Sequence, residues 1–212
     1  MNMAEKKYYD PWSRMRSIND IPCDELISML QKSIRRADEK NALGAAYELY
    51  MSSVQLADKV WQRLLVISVE DIGFGNVNAP EMIWSLYKMR HDFVYGSADQ
   101  AMMLVYAIRY LCRCTKERSS DEMKCILADR AKEGFPYEVP DYTYDMHTVK
   151  GREMGRGTVH FLQEASKVEP ELQAKWVQVL HDAYLNVARL ERESPGEAVV
   201  QAYLDTQWDY SE

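Results

Sequence analysis

No stretch of this sequence reads GxxxxGK[ST], and no GxGxxG follows a strand-like run. The backbone cradle and phosphate lysine of a P-loop ATPase are therefore missing, and any ATP hydrolysis has to come from a partner. Paired cysteines are missing as well. Cys23, Cys112, Cys114 and Cys125 contain no CxxC, and Cys112 and Cys114 lie too close together for a usual zinc knuckle. They read as reduced thiols, with Cys112 and Cys114 inert on an apolar helix. No serine stands in a nucleophile-elbow context. There is no His-x-x-x-His pair: His147 and His160 lie thirteen positions apart with glycines between them. A metal reading would rest on Asp141, Asp145, His147 and His160, of which Asp145 and His147 could converge only in a tightly folded loop, so neither metal nor cofactor is expected. No apolar run approaches the roughly 18 residues of a membrane span, and the opening MNMAEKKYYDPWSRMRS has no apolar signal core. The expectation is a soluble, cytoplasmic protein with no membrane partner. An excess of positive charge is also absent. The net charge of −7 counts against tight non-specific nucleic-acid binding, although a local basic loop can persist in an acidic protein.

What the chain does contain is amphipathic helix. With 47% hydrophobic and 28% charged residues it has globular composition, and 212 residues can bury a substantial core. Residues 1–20 mix charge with Tyr8, Tyr9, Pro11 and Trp12 and read as an arm. Asp24 is placed to cap a helix running to about Asp38, with Leu26, Leu30 and Ile34 on one face. A second helix is predicted over 41–53. A third, near 57–71, aligns Val60, Leu64 and Ile67, widened by Trp61 and Leu65, and stops at Gly73. Pro80 belongs in the first turn of a helix reaching about Phe93, and Ser97 or Asp99 starts the next. That helix, near 98–114, reads as apolar on nearly all sides and central to the bundle. Ser119 or Ser120 caps a helix ended by Gly134 and Pro136. Residues 135–157 read as the one long irregular region, followed by a short helix from Thr158. The last long helix, about 169–192, carries a stripe of Leu172, Trp176, Val179, Ala183, Val187 and Leu190. Ser194-Pro195 opens a final short helix. The fold class is all-α, a helical bundle. The expected organisation is an arm at 1–20, a helical domain at 21–134, and an irregular basic loop with C-terminal helices at 135–212 packed on that domain.

One segment stands apart. DMHTVKGREMGRG places Lys150, Arg152 and Arg156 among Gly151, Gly155 and Gly157, beside His147 and just before a helix. Cations, free backbone N–H groups and a helix start together suit an anion or a nucleic-acid phosphate. A solvated loop, or a surface pairing these cations with a neighbouring subunit's acidic faces, is the competing reading. Glu70-Asp71 ends a helix where acidic residues oppose the dipole, so a basic partner such as Arg63 or Lys59 is expected. Lys32 and Arg36 share a helix face, which reads as solvated or, more sharply, as phosphate-contacting.

Two of these stretches resemble the C-terminal region of the replication-associated recombination protein A family, AAA+ ATPases related to clamp loaders. LISMLQKSIRRADEKNALGAAYEL is similar to that family's opening helices through Lys32, Ser33, Arg35 and Asp38. WQRLLVISVEDIGFGNVNAP is similar to its SEDIG segment through Arg63, Leu64, Glu70, Asp71, Ile72 and Gly73. The apolar helix around 101–111 resembles the family's alanine-rich interior helix. The likeness covers about residues 24–130, and 139–165 more loosely. The AAA+ motor and lid have no counterpart here, Thr115–Ser120 replaces a lysine-serine-asparagine segment, and DMHTVKGREMGRG stands where many members carry tyrosine-proline-histidine-aspartate.

The resemblance implies a helical domain like the clamp-loader collar, homotetramer formation and a setting in DNA replication or repair. The leading expectation is a non-enzymatic oligomerisation or binding module whose partners are its own copies, an AAA+ ATPase or replication protein, or DNA. Mixed assembly with a full-length ATPase is one form of it. The alternative is a small enzyme or nucleotide- or anion-binding regulator built on residues 141–157.

Overall fold

The four-residue spacing of Leu26, Leu30 and Ile34 makes one apolar face, and in the computed structural model all three are buried. The structure describes residues 11–134, 137–172 and 174–193. The fold is all-α: among the described residues there is no strand, and the one isolated bridge pairs Arg16 with Pro22. The chain divides into two compact units, Met1–Phe135 and Pro136–Glu212.

The first unit contains α1 (Cys23–Arg35), α2 (Glu39–Ser52), α3 (Val54–Ile67), α4 (Ala79–Met89), α5 (Ala98–Arg113) and α6 (Ser119–Lys132). Its core gathers Leu30, Ile34, Leu49, Tyr50, Trp61, Leu64, Ile83, Leu104 and Ile108, each at most 1% exposed. Burying each aliphatic side chain among them stabilises the fold by about 1.5–3 kcal/mol, which is what holds α1 to α5 together. The joints are local. Asp38 accepts from the backbone N–H of Asn41 to cap α2, and Ser53, the single residue between α2 and α3, accepts from that of Leu56. Pro80 sits in the first turn of α4, and Ser97 caps α5 by accepting from the Gln100 N–H. Trp12, inside the expected arm, is partly buried against the core with the Lys59 ammonium 4.7 Å above its ring.

Some local expectations differ from the structure. Asp24 does not cap α1; Pro22 is the N-cap residue and no side chain bonds there. Neither Ser119 nor Ser120 caps α6, whose N-cap residue is Arg118, again with no side-chain bond. α5 is amphipathic rather than apolar all round, because Met102, Tyr106, Arg109 and Arg113 stand exposed along one side. The turn after α3 is π-helical over Ser68–Ile72, a register change that hydrophobic spacing alone does not encode.

The second unit begins with a 3-10 turn, Asp141–Thr143, then α7 (Val149–Glu153) and α8 (Thr158–His160), which runs into a π-helical turn at Phe161–Ala165. Its long helix, α9, spans Lys175–Glu193. The predicted stripe is not buried: Leu172, Trp176, Val179 and Val187 are exposed, whereas Ala188 is buried. The helix expected at Ser194-Pro195 lies outside the described residues.

Candidate functional site

Asp71 is the most deeply placed carboxylate of the first unit, with a fully buried side chain. The π-helical turn puts it there. Widening the helix by one residue turns Glu70 and Asp71 inward toward α1, and Gly73 ends the turn at φ 50°. A Cβ on Gly73 would stand 2.5 Å from the Glu117 carbonyl oxygen, so only glycine lets the two backbones approach. The Glu117 N–H donates to the Asp71 carbonyl at 3.0 Å across that junction.

Three guanidinium groups converge on the two acids. Arg35 Nε donates to Asp71 Oδ1 at 2.5 Å, and its Nη2 lies 3.6 Å from Glu70. Arg63 is 3.7 Å from Glu70 and donates to Gln31 Oε1 at 2.5 Å. Gln31 in turn donates to Glu70 Oε1 at 2.8 Å and Asp71 Oδ2 at 2.9 Å. Arg118 lies 3.4 Å from Asp71 and 2.6 Å from Asp121. The Asp121 carboxyl is held below its usual range, first by hydrogen bonding from Lys124 and then by Arg118. The expected basic partner of Glu70-Asp71 is thus Arg63, joined by Arg35 and Arg118. Lys59 points to Trp12 instead.

Residues of the two sequence motifs separate into roles. Arg35, Glu70 and Asp71 meet in one network. Asp38 caps a helix, Gly73 permits close packing, and Lys32 donates to Ser28 Oγ at 2.8 Å on the surface. Arg118 and Gln31 carry no signal in the sequence that points to this network. Arg118 lies more than forty residues from α3, and no periodic pattern links them.

The glycine-rich loop of the second unit is organised around its own backbone. Thr148 caps α7 by accepting from the Gly151 N–H at 3.0 Å. Gly151 packs so closely on Asp145 that a Cβ would overlap the Asp145 carbonyl. Gly155 closes the helix at φ 71°, and Gly157 is the extended N-cap residue of α8. Arg156 makes a bidentate pair with Asp141, both contacts at 2.8 Å, and also donates to the carbonyls of Asp141 and Tyr144. Arg152 donates to the Met146 carbonyl at 3.1 Å, and the Lys150 ammonium lies 4.0 Å over the Tyr144 ring. His147 sits 2.9 Å from Asp145 and edge-on to Phe161. Hydrogen bonds from His147 hold the Asp145 carboxyl below its usual range. All three cations therefore have partners within the unit.

No group of three or more His, Cys, Asp or Glu side chains suited to a metal occurs among the described residues. Burial pushes the Cys112 thiol up to about 11, which keeps it protonated and unreactive at neutral pH. Among the described residues, no helix is long and apolar enough to cross a membrane. Neither the protein-family models nor the curated proteins give a match to this chain.

Proposed function

We propose that this protein is a non-enzymatic helical assembly and binding module, similar to the collar-like C-terminal domain of the replication-associated recombination protein A family. In this reading it acts in DNA replication or repair as a homotetramer that engages a replication ATPase or DNA. One observation carries the proposal. The two motif segments on which the resemblance rests supply opposite halves of a single ion-pair network: Arg35 from one, Glu70 and Asp71 from the other. Residues that agree with a family pattern in order and spacing, and also meet in space, support common descent better than helical composition does. Exposed apolar side chains such as Phe74, Val77, Trp84 and Met102 give the assembly reading further support, since self-association would remove them from water.

The alternative, an enzyme or anion-binding regulator using Asp141, Asp145, His147, Lys150, Arg152 and Arg156, has less support. Arg156 and Arg152 are engaged with backbone carbonyls and Asp141. Light scattering at two concentrations and two salts tests the leading reading. A mass of about four times 24.7 kDa that is stable to dilution is expected. A monodisperse monomer would overturn it.

A further inference from the structure

α2 and α5 run antiparallel: the Tyr50 hydroxyl near the end of α2 donates to Gln100 Oε1 at 2.9 Å, while Glu39 at its start pairs with Arg109 and Arg113. Gly44 precedes Tyr50 by as many residues as Tyr106 follows Gln100, so the two stand level. The outward face of this helix pair is apolar. Tyr47 and Met51 line it from α2 and Met102 and Tyr106 from α5, each between 45% and 68% exposed. Leu43 and Val105, half-buried, form its floor between the two helices. Gly44 lies beside them. Its backbone is helical, and a Cβ there would meet nothing within 4 Å. Glycine weakens a helix relative to alanine, and no close approach among the described residues calls for it. What Gly44 does provide is a low point beside Tyr47 and Tyr106, open to a side chain from outside. The two methionines add flexible thioethers that adapt to an apolar partner.

The charges at its two ends say what fits. Lys40 stands exposed at one end and Asp99 at the other, and among the described residues neither forms an ion pair. Arg109 and Arg113 share the single carboxylate of Glu39 near Lys40, so that end is positive as a whole. From Lys40 to the level of Asp99 the face runs about 16 Å, or three turns of helix. A helix most favourably carries acid in its first turn and base in its last. We infer that this face receives an amphipathic helix of about three turns from a partner protein, with its acidic N-terminal turn at Lys40 and its basic C-terminal turn at Asp99. Its apolar stripe lies between the two tyrosines, with one bulky side chain seated over Gly44. The occupant thus runs parallel to α2. This goes beyond the assembly reading and stands without it.

The test is fluorescence anisotropy of the full chain with a labelled synthetic peptide of about 14 residues. The peptide carries glutamate in its first turn, a leucine and phenylalanine stripe at helical spacing, and lysine in its last turn. Saturable binding is expected. Tyr106→Ala should weaken it about tenfold or more, as loss of a central aromatic anchor does. Gly44→Leu should weaken it as much while melting no lower than the wild type, because the new side chain enters open space. That result separates a docking role from a structural one. Lys40→Glu/Asp99→Lys should prefer a charge-reversed peptide by about threefold or more, reversing the wild-type order. The inference is overturned if the wild type shows no saturable binding, if Gly44→Leu and Tyr106→Ala bind like it, or if the wild type takes both peptides equally. A labelled oligothymidylate displacing the peptide would give the face to nucleic acid and overturn it too. Light scattering on the same samples keeps the two proposals apart. A tetramer that ignores the peptide sinks only the docking face, and a monomer that takes it up sinks only the assembly reading. A tetramer that falls apart in Gly44→Leu would assign the face to a second copy and overturn the partner helix.

Discussion

Ala37 adopts φ 57° just past the end of α1, where its N–H and that of Asp38 close the helix onto the carbonyls of Ile34 and Ser33. A Cβ in the left-handed region costs about 1 kcal/mol or more, and glycine relieves that at some cost in unfolded-chain entropy. Ala37→Gly is therefore expected to raise stability by about 0.5–1 kcal/mol, read as a higher urea midpoint at unchanged slope. Asp71 points the other way. Asp71→Asn keeps the shape but leaves Arg35 and Arg118 without their buried counter-charge, and a loss of about 3 kcal/mol is expected in the same measurement. The sequence marks these two positions unequally. The acidic pair at a helix end announces that a cation must lie nearby, and Arg63 is about two turns before it. Arg118 is invisible because only the folded chain brings it there. Ala37 carries no signal at all, since the residue that normally marks a helix end of this kind is glycine.

At the level of elements, periodicity exposes the long amphipathic helices well. The buried faces of α1 and α3 follow the spacing of Leu26, Leu30 and Ile34 and of Val60, Leu64 and Ile67, and Pro80 and Ser97 mark two starts. Short elements escape it: α7 has five residues, fewer than two turns, and is specified by the Thr148 cap and Gly155 rather than by a stripe. α5 misleads because methionine and tyrosine count as apolar yet stand in solvent. Two tests belong at this scale. Ser53→Ala removes the cap at a joint with no spare residue and is expected to cost about 1 kcal/mol in thermal or urea unfolding. The second concerns pH. A carboxyl depressed in the folded state contributes stability above its unfolded value, lost as pH falls through the folded one. Asp145 is such a group and accepts the His147 backbone N–H, so the amide protection of His147 should fade as pH drops below about 3.8, the ordinary Asp value. In His147→Ala the Asp145 midpoint, followed by NMR, is expected to rise toward that value.

Considered whole, the molecule places its large continuous core within Met1–Phe135, where α1 to α5 pack through Trp61, Tyr50 and their neighbours. A fragment ending at residue 135 is expected to keep a helical spectrum and a single cooperative melt. A non-cooperative melt would show that the second unit completes the core. Within the first unit the acidic pair after α3 links α1, α3 and the start of α6 through Arg35, Arg63 and Arg118. Replacing Asp71 alone removes the buried carboxylate that Arg35 and Arg118 share, whereas replacing it together with both arginines by apolar residues of similar volume removes the imbalance and should cost less than the single change. Such a knot behaves as one heritable unit. Single steps away from it pass through a fitness valley, while the exposed positions of α6 are under no such restraint, so this is where a lineage would keep its signature longest.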